Sequence, residues 1–308
     1  MFGRRGVGDA TPSRCPSIIV RQSSLDDGGD RYALTQDVVN FVNHALREAM
    51  FRRDELPQDA LRAFHVDYYI AQVNNGGHGQ FAYNSRWDEP VLRDIGEGLA
   101  AIGVAEATEI FRSFQTYAVL EPARFQRTFD GSGFGTIDPF VEKLDQRFYA
   151  GVGDALAKAL RQWIARLPSL RPLDDTHYRE TMQNLAAQNP EYAARKTANA
   201  MELEQRRNED PIHQTIRFVC HVSPPGMRFE QLLSASPLSS PDQSSTGVGF
   251  RIVTDRGLAT IYVAESRAVL WLEGEAKPRG KVPLAMVDAF LARQGLTLSE
   301  AVKRGELA

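Results

Sequence analysis

The chain has 308 residues, 43% hydrophobic and 24% charged, a composition that can bury a proper core and excludes a wholly disordered chain. Lys and Arg number 36 against 39 Asp and Glu, giving a net charge of −3 and a pI near 6.1, so bulk charge does not predict nucleic-acid binding. Two cysteines, Cys15 and Cys220, are too few for a disulfide framework or a four-thiolate zinc site.

Residues 1–30 mix Gly, Ser, Asp and Arg without period and read as a flexible tail, in which Ser17–Val20 has the apolar character to pin to a body. Arg4 and Arg5 resemble the start of an export signal, but only Ile18, Ile19 and Val20 are consecutively apolar where about 7–15 such residues are needed. No stretch approaches the roughly 18 apolar residues of a membrane span. The expectation is a cytoplasmic protein with reduced thiols and no membrane partner.

From Thr35, a candidate N-cap, Val38, Phe41, Val42, Ala45, Leu46 and Ala49 follow at helical spacing. Pro57 opens a second helix to about Val73 that is apolar over much of its circumference, as a helix in the middle of a bundle must be. Asp88 caps a segment ending at Gly103, residues 105–119 form the next helix, and Asp138 with Pro139 starts another. Further helices are predicted to about residue 207. The zone 31–209 therefore reads as a multi-helix domain. Residues 210–308 change period: Thr215–Val222 alternates like a strand, and 234–246 reads as a Ser/Pro-rich loop. Strands are predicted at about 248–254, 258–264 and 268–273, followed by a helix opened by Pro283 and a short terminal one at the Thr297–Glu300 capping pattern. The fold class is mainly α: a multi-helix N-terminal domain followed by a small α+β domain with an antiparallel β meander.

The most distinctive run is Val73-Asn74-Asn75-Gly76-Gly77-His78-Gly79-Gln80-Phe81, with Asn84 and Ser85 just after it. Together with Leu61-Arg62-Ala63 upstream, Leu99–Gly103 downstream and Leu144–Tyr149 further on, it resembles the signature of the DNA-mimic-protein family over roughly residues 38–205. The resemblance implies a mainly helical bacterial domain with no known cofactor. At least one member of that family presents acidic side chains that imitate DNA phosphates and so occupies a DNA-binding regulator. It therefore implies a protein partner, such as a DNA-binding regulator, rather than direct contact with nucleic acid.

Two groups of residues are candidates for partner contact. Asn74, Asn75, His78, Gln80 and Asn84 cluster at the doubled asparagine and glycine corner. Their amides are expected either to satisfy the last carbonyls of a buried helix and lock a corner, or to converge on a polar pocket. Asp88, Glu89, Asp94, Glu97, Glu106 and Glu109 stand against Arg86 and Arg93 between 86 and 110, a local balance of −4 (two minus six).

Other chemistry is set aside on spacing. His65 and Asp67, with His78 nearby, fall at i, i+2 on opposite sides of a helix, so no metal site is assigned. Cys220 and His221 would point to opposite faces of a strand, leaving Cys220 an inert core residue and Cys15 a tail thiol without a framework. The run Gly131–Thr136 lacks both the preceding strand and the Gly-Lys-Ser/Thr of a phosphate loop. Arg206-Arg207 and Lys277–Lys281 read as solubilising charge. The sequence thus favours a non-enzymatic protein-binding or regulatory protein with no catalytic residues and no cofactor. The alternative is an enzyme with a polar pocket at the corner, using His78 as acid–base and Gln80 and Asn84 to orient substrate.

Overall fold

The computed structural model describes residues 15–26, 31–129, 138–224, 226–239, 246–275 and 277–304. The chain divides into two compact units, Met1–Lys196 and Thr197–Ala308.

In the first unit, helices α1 (Ala33–Asn43), α2 (Gln58–Ser85), α3 (Glu89–Ile102), α4 (Ala105–Leu120), α5 (Pro122–Phe129), α6 (Pro139–Arg147), α7 (Gly153–Ile164) and α8 (Asp175–Gln183) follow one another. Helix α9 (Tyr192–Glu209) begins here and runs on into the second unit. Helix α2 packs against α1, α3, α5, α6 and α7, which is why its sequence is apolar on more than one face. Gly98 lets α3 approach it closely, since a Cβ there would stand 2.7 Å from Val66. Asp88 caps α3 through the Val91 amide, Gly103 closes it in the left-handed region at φ 84°, and Asp138 caps α6 ahead of Pro139. Thr35 is not the cap expected of it. The helix begins at Ala33, and Thr35 is buried in its first turn.

Residues 17–20 are pinned to the body as their apolar character suggested, and the tail expectation is corrected for their described neighbours at 15–16 and 21–26. Ile18–Arg21 form a short strand, β1, pairing in parallel with Leu170–Leu173, β2, in the register Ile18 to Leu170. Ile18, Ile19 and Val20 lie in the core. Asp37, wholly buried on α1, fastens the segment. It accepts the Arg21 amide at 2.9 Å, the Arg21 guanidinium at 2.6 Å and the Ser24 hydroxyl at 2.7 Å.

The second unit carries a five-stranded antiparallel meander in sequence order: β3 (Phe229–Ser239), β4 (Thr246–Thr254), β5 (Gly257–Val263), β6 (Arg267–Leu272) and β7 (Gly280–Pro283). Helices α10 (Pro211–Val222), α11 (Leu284–Ala292) and α12 (Glu300–Lys303) complete it. Two expectations are corrected here. The Thr215–Val222 strand is the body of α10. Asp210 caps that helix through the Ile212 and His213 amides with Pro211 in its first turn, and the buried side chains are Ile216, Val219 and Cys220, a helical i, i+3, i+4 set. The first part of the expected 234–246 loop is strand β3, which reaches Ser239 with register shifts near Gln231 and Ser234; residues 240–245 lie outside the described ones. The core of this unit joins Ile216, Val219 and Cys220 to Val248, Phe250, Ile252, Ile261 and Leu270.

Candidate functional site

The signature corner is a break inside α2, with no loop. Gly76 sits at φ −163°, and Gly77 adopts φ 74°, ψ −176°, a combination open in practice to glycine alone. The helix then resumes at once. The same residue admits Asp145 of α6 to the backbone, because a Cβ on Gly77 would lie 2.9 Å from the Asp145 carboxyl carbon.

What the break positions is His78, buried completely. Asp145 Oδ1 accepts from the His78 amide at 2.8 Å and meets its Nδ1 at 2.5 Å, while the Tyr69 hydroxyl lies 2.8 Å from Nε2. In the Nδ1–H tautomer the ring donates to Asp145 and Nε2 accepts from the Tyr69 hydroxyl, so both nitrogens have a partner. Phe114 and Phe148 meet the imidazole edge-on, and Phe81, Phe111 and Phe148 surround Tyr69. Burial and the nearby Asp145 charge drive the Tyr69 phenol far above its ordinary pKa, so it stays a neutral donor. Both ring nitrogens of His78 are engaged and no face of the ring meets solvent. The imidazole considered for an acid–base role therefore lies in this core and not in a solvent-open pocket.

The amides face the other way. Asn84 Nδ2 and Gln80 Nε2 both donate to Gln72 Oε1, at 2.6 and 3.0 Å, and Asn75 Nδ2 donates to Gln80 Oε1 at 3.1 Å. Asn74, Asn75 and Asn84 are exposed. They do not cap the helix carbonyls as expected. The Val73 carbonyl accepts from the Tyr149 hydroxyl at 2.7 Å. The structure therefore brings Asn75, Gln80 and Asn84 together on the surface, leaves Asn74 beside them, and separates His78 from all four.

The acidic candidates also divide. Asp94 is not on a surface face. It is wholly buried, accepting from Arg53 at 2.5 Å, His65 Nδ1 at 2.8 Å and Gln58 Nε2 at 2.9 Å. Burial by itself raises this carboxyl, but the His65 hydrogen bond and the Arg53 charge outweigh it and hold Asp94 below its ordinary value. Its place in the contact face is withdrawn, because α3 turns that position inward against α2. Asp88, Glu89, Glu97, Glu106 and Glu109 are exposed. Arg62 binds Glu97 at 2.7 Å, and Arg147 reaches both Glu109 at 3.2 Å and Glu106 at 3.5 Å. Among the described residues Glu89 has no such partner. Beside Glu109 lies a cleft of about 880 Å³ lined in part by the buried Leu99 and Tyr117 and the exposed Leu120 and Phe140.

Tyr69, Asp145, Arg53 and Gln72 were not singled out by sequence reasoning. Asp145 lies 67 residues from His78, so no local spacing could have joined them. The traceable signal is Gly77, a residue type that demands a close approach without saying by what. Cys15, expected as a tail thiol, is buried, and burial pushes it up to about 11 despite a backbone hydrogen bond. Burial pushes Cys220, on a helix and not on the expected strand, up to about 12; neither thiol is activated. Gly131–Thr136 lies outside the described residues. Among those described, no group of three His, Cys, Asp or Glu is placed to hold a metal ion, and no helix is long and apolar enough to cross a membrane.

Among the described residues, the first unit is thus a helical domain with a broken central helix, a buried polar cluster beneath the break and amides and carboxylates on its exterior. Residues 54–167 match the family model described as DMP19-like protein, so the chain carries a DMP19-like helical domain, consistent with a DNA-mimic family. No curated protein and no solved structure matches the chain.

Proposed function

We propose that this chain is a non-enzymatic binding protein whose DMP19-like domain holds a protein partner. The observation that carries the reading is the division of the signature corner: its one imidazole is locked inside by Tyr69 and Asp145, while neutral amides tied to one another form the outside. Such an arrangement fixes a shape and leaves no reacting group exposed. The cleft beside Glu109 adds apolar surface rimmed by charge, the mixture typical of protein interfaces.

The finer reading is that the partner is a DNA-binding regulator, met through Glu97, Glu106 and Glu109. Its cations would take over these carboxylates from Arg62 and Arg147, and binding would weaken as salt rises. The test is affinity capture from the native cell extract, followed by titration of the recovered protein at several salt concentrations. Glu106→Lys with Glu109→Lys is expected to abolish capture by the regulator reading. Capture that persists in the double variant, with no salt dependence, would remove the acidic face from the proposal.

A further inference from the structure

A second cavity of the helical unit, about 660 Å³, lies between the start of α1, the middle of α2 and α7, and shares no residue with the signature corner. At its α2 wall stands Asp67, nine-tenths buried. It accepts the Tyr32 hydroxyl at 2.8 Å, and among the described residues no cation pairs with it. Burial raises its carboxyl and the Tyr32 hydrogen bond offsets this only in part, so a cation arriving at Asp67 would offset the cost of burying that carboxylate. Lys158 and Arg161 of α7 and Arg31 ahead of α1 line the same space, with Asp154 as its second carboxylate. Arg161 is held by the Leu25 carbonyl at 3.2 Å, whereas Lys158 and Arg31 make no ion pair among the described residues.

The volume is that of a small-molecule site. A purely anionic ligand would leave Asp67 opposed, and a purely cationic one would face three cations. We propose that this cavity binds a free α-amino acid, its ammonium group on Asp67 and its carboxylate on Lys158 and Arg31. The match is one of charge: a buried acceptor of positive charge and unengaged donors to negative charge share one wall-to-wall space.

The test uses the full chain, thermal unfolding and calorimetric titration with each standard amino acid, then with the N-acetyl and carboxamide derivatives of any that bind. At least one amino acid is expected to raise the unfolding temperature in a concentration-dependent way. Either derivative should bind about tenfold or more weakly, as should D67N and K158E for the parent compound. Asp67→Asn keeps an oxygen for the Tyr32 hydroxyl, and Lys158 is an exposed position, so the two variants test the site from opposite ends without removing packing. No response to any amino acid in the unaltered protein, or binding that survives both variants, overturns the assignment.

Discussion

The two sides of the α2 break solve opposite problems with neighbouring residues. Inward, His78 carries an imidazole against Phe114 and Phe148, with Phe81 and Phe111 around its partner Tyr69, where each polar atom needs a partner, and Asp145 and Tyr69 supply them. Outward, Gln72, Asn75, Gln80 and Asn84 bond to one another in contact with water, where losing any one bond is made good by solvent. The difference teaches that a polar motif marks no single role. The inner half is a buried, partnered cluster, and the outer half is a network of amides at the surface.

The largest effect is expected at the hinge itself. Gly77→Ala places a side chain on a backbone at φ 74°, ψ −176° and drives its Cβ into the Asp145 carboxylate, displacing the group that holds His78. Backbone strain and the disrupted bond together should cost about 3–4 kcal/mol, read from the urea midpoint. Adding Asp145→Ala should relieve the clash but not the strain, so the double variant should be less destabilised than the sum of the two singles. A midpoint equal to that of the unaltered protein would show that the break is not rigidly set.

Asp94 supplies a second buried cluster against which the inner half can be compared. Its folded pKa lies below the ordinary value of 3.8, so its stabilisation is complete above that value and drains away as pH falls through the folded one. Asp67, raised by burial, has the opposite sign, its contribution being lost as pH rises through its folded value. Asp94→Asn should cost about 3 kcal/mol at neutral pH, because Arg53 loses its counter-charge and the His65 Nδ1 contact loses its charged acceptor. It should also flatten the loss of stability below pH 4. An unchanged acid limb would mean that other carboxylates control it.

Much of this architecture was legible locally. Asp88, Asp138 and the prolines after them mark helix starts because a cap needs only the next few amides. The β4–β6 meander shows in alternation and short connections. Residues 216, 218, 220 and 222 alternate just as readily as they fit a helix, and the decision there belongs to Asp210 and Pro211. Ion pairs such as Arg53 with Asp94 and the contact of Asp145 with His78 are tertiary, and no spacing encodes them. Counting acids between 86 and 110 treated Asp94 as equivalent to Glu97, although neighbouring positions on a packed helix face different media.

Tyr69→Phe tests the inner half with the smallest change of shape. The ring and its edge-on contacts with Phe81, Phe111 and Phe148 remain, while His78 Nε2 is left facing a hydrocarbon with no water to replace the hydroxyl. The cost should be about 1–2 kcal/mol by urea unfolding, and a smaller loss would mean that the ring turns to find another partner.

The outer half should respond least in stability and most in binding. Asn84→Ala and Gln80→Ala each remove donors from Gln72 Oε1, but water reaches the surface and replaces them, so either change should stay within about 0.5 kcal/mol. The same two variants should weaken capture of the partner if the amide surface takes part in it, with the urea midpoint as the internal control for folding. A loss of 2 kcal/mol or so would instead place these amides with His78 in the structural half, since only a bond that solvent does not replace carries that penalty. The contrast between the two faces of one helix break therefore reduces to a single comparison: Tyr69→Phe should move the unfolding curve and Asn84→Ala should leave it in place.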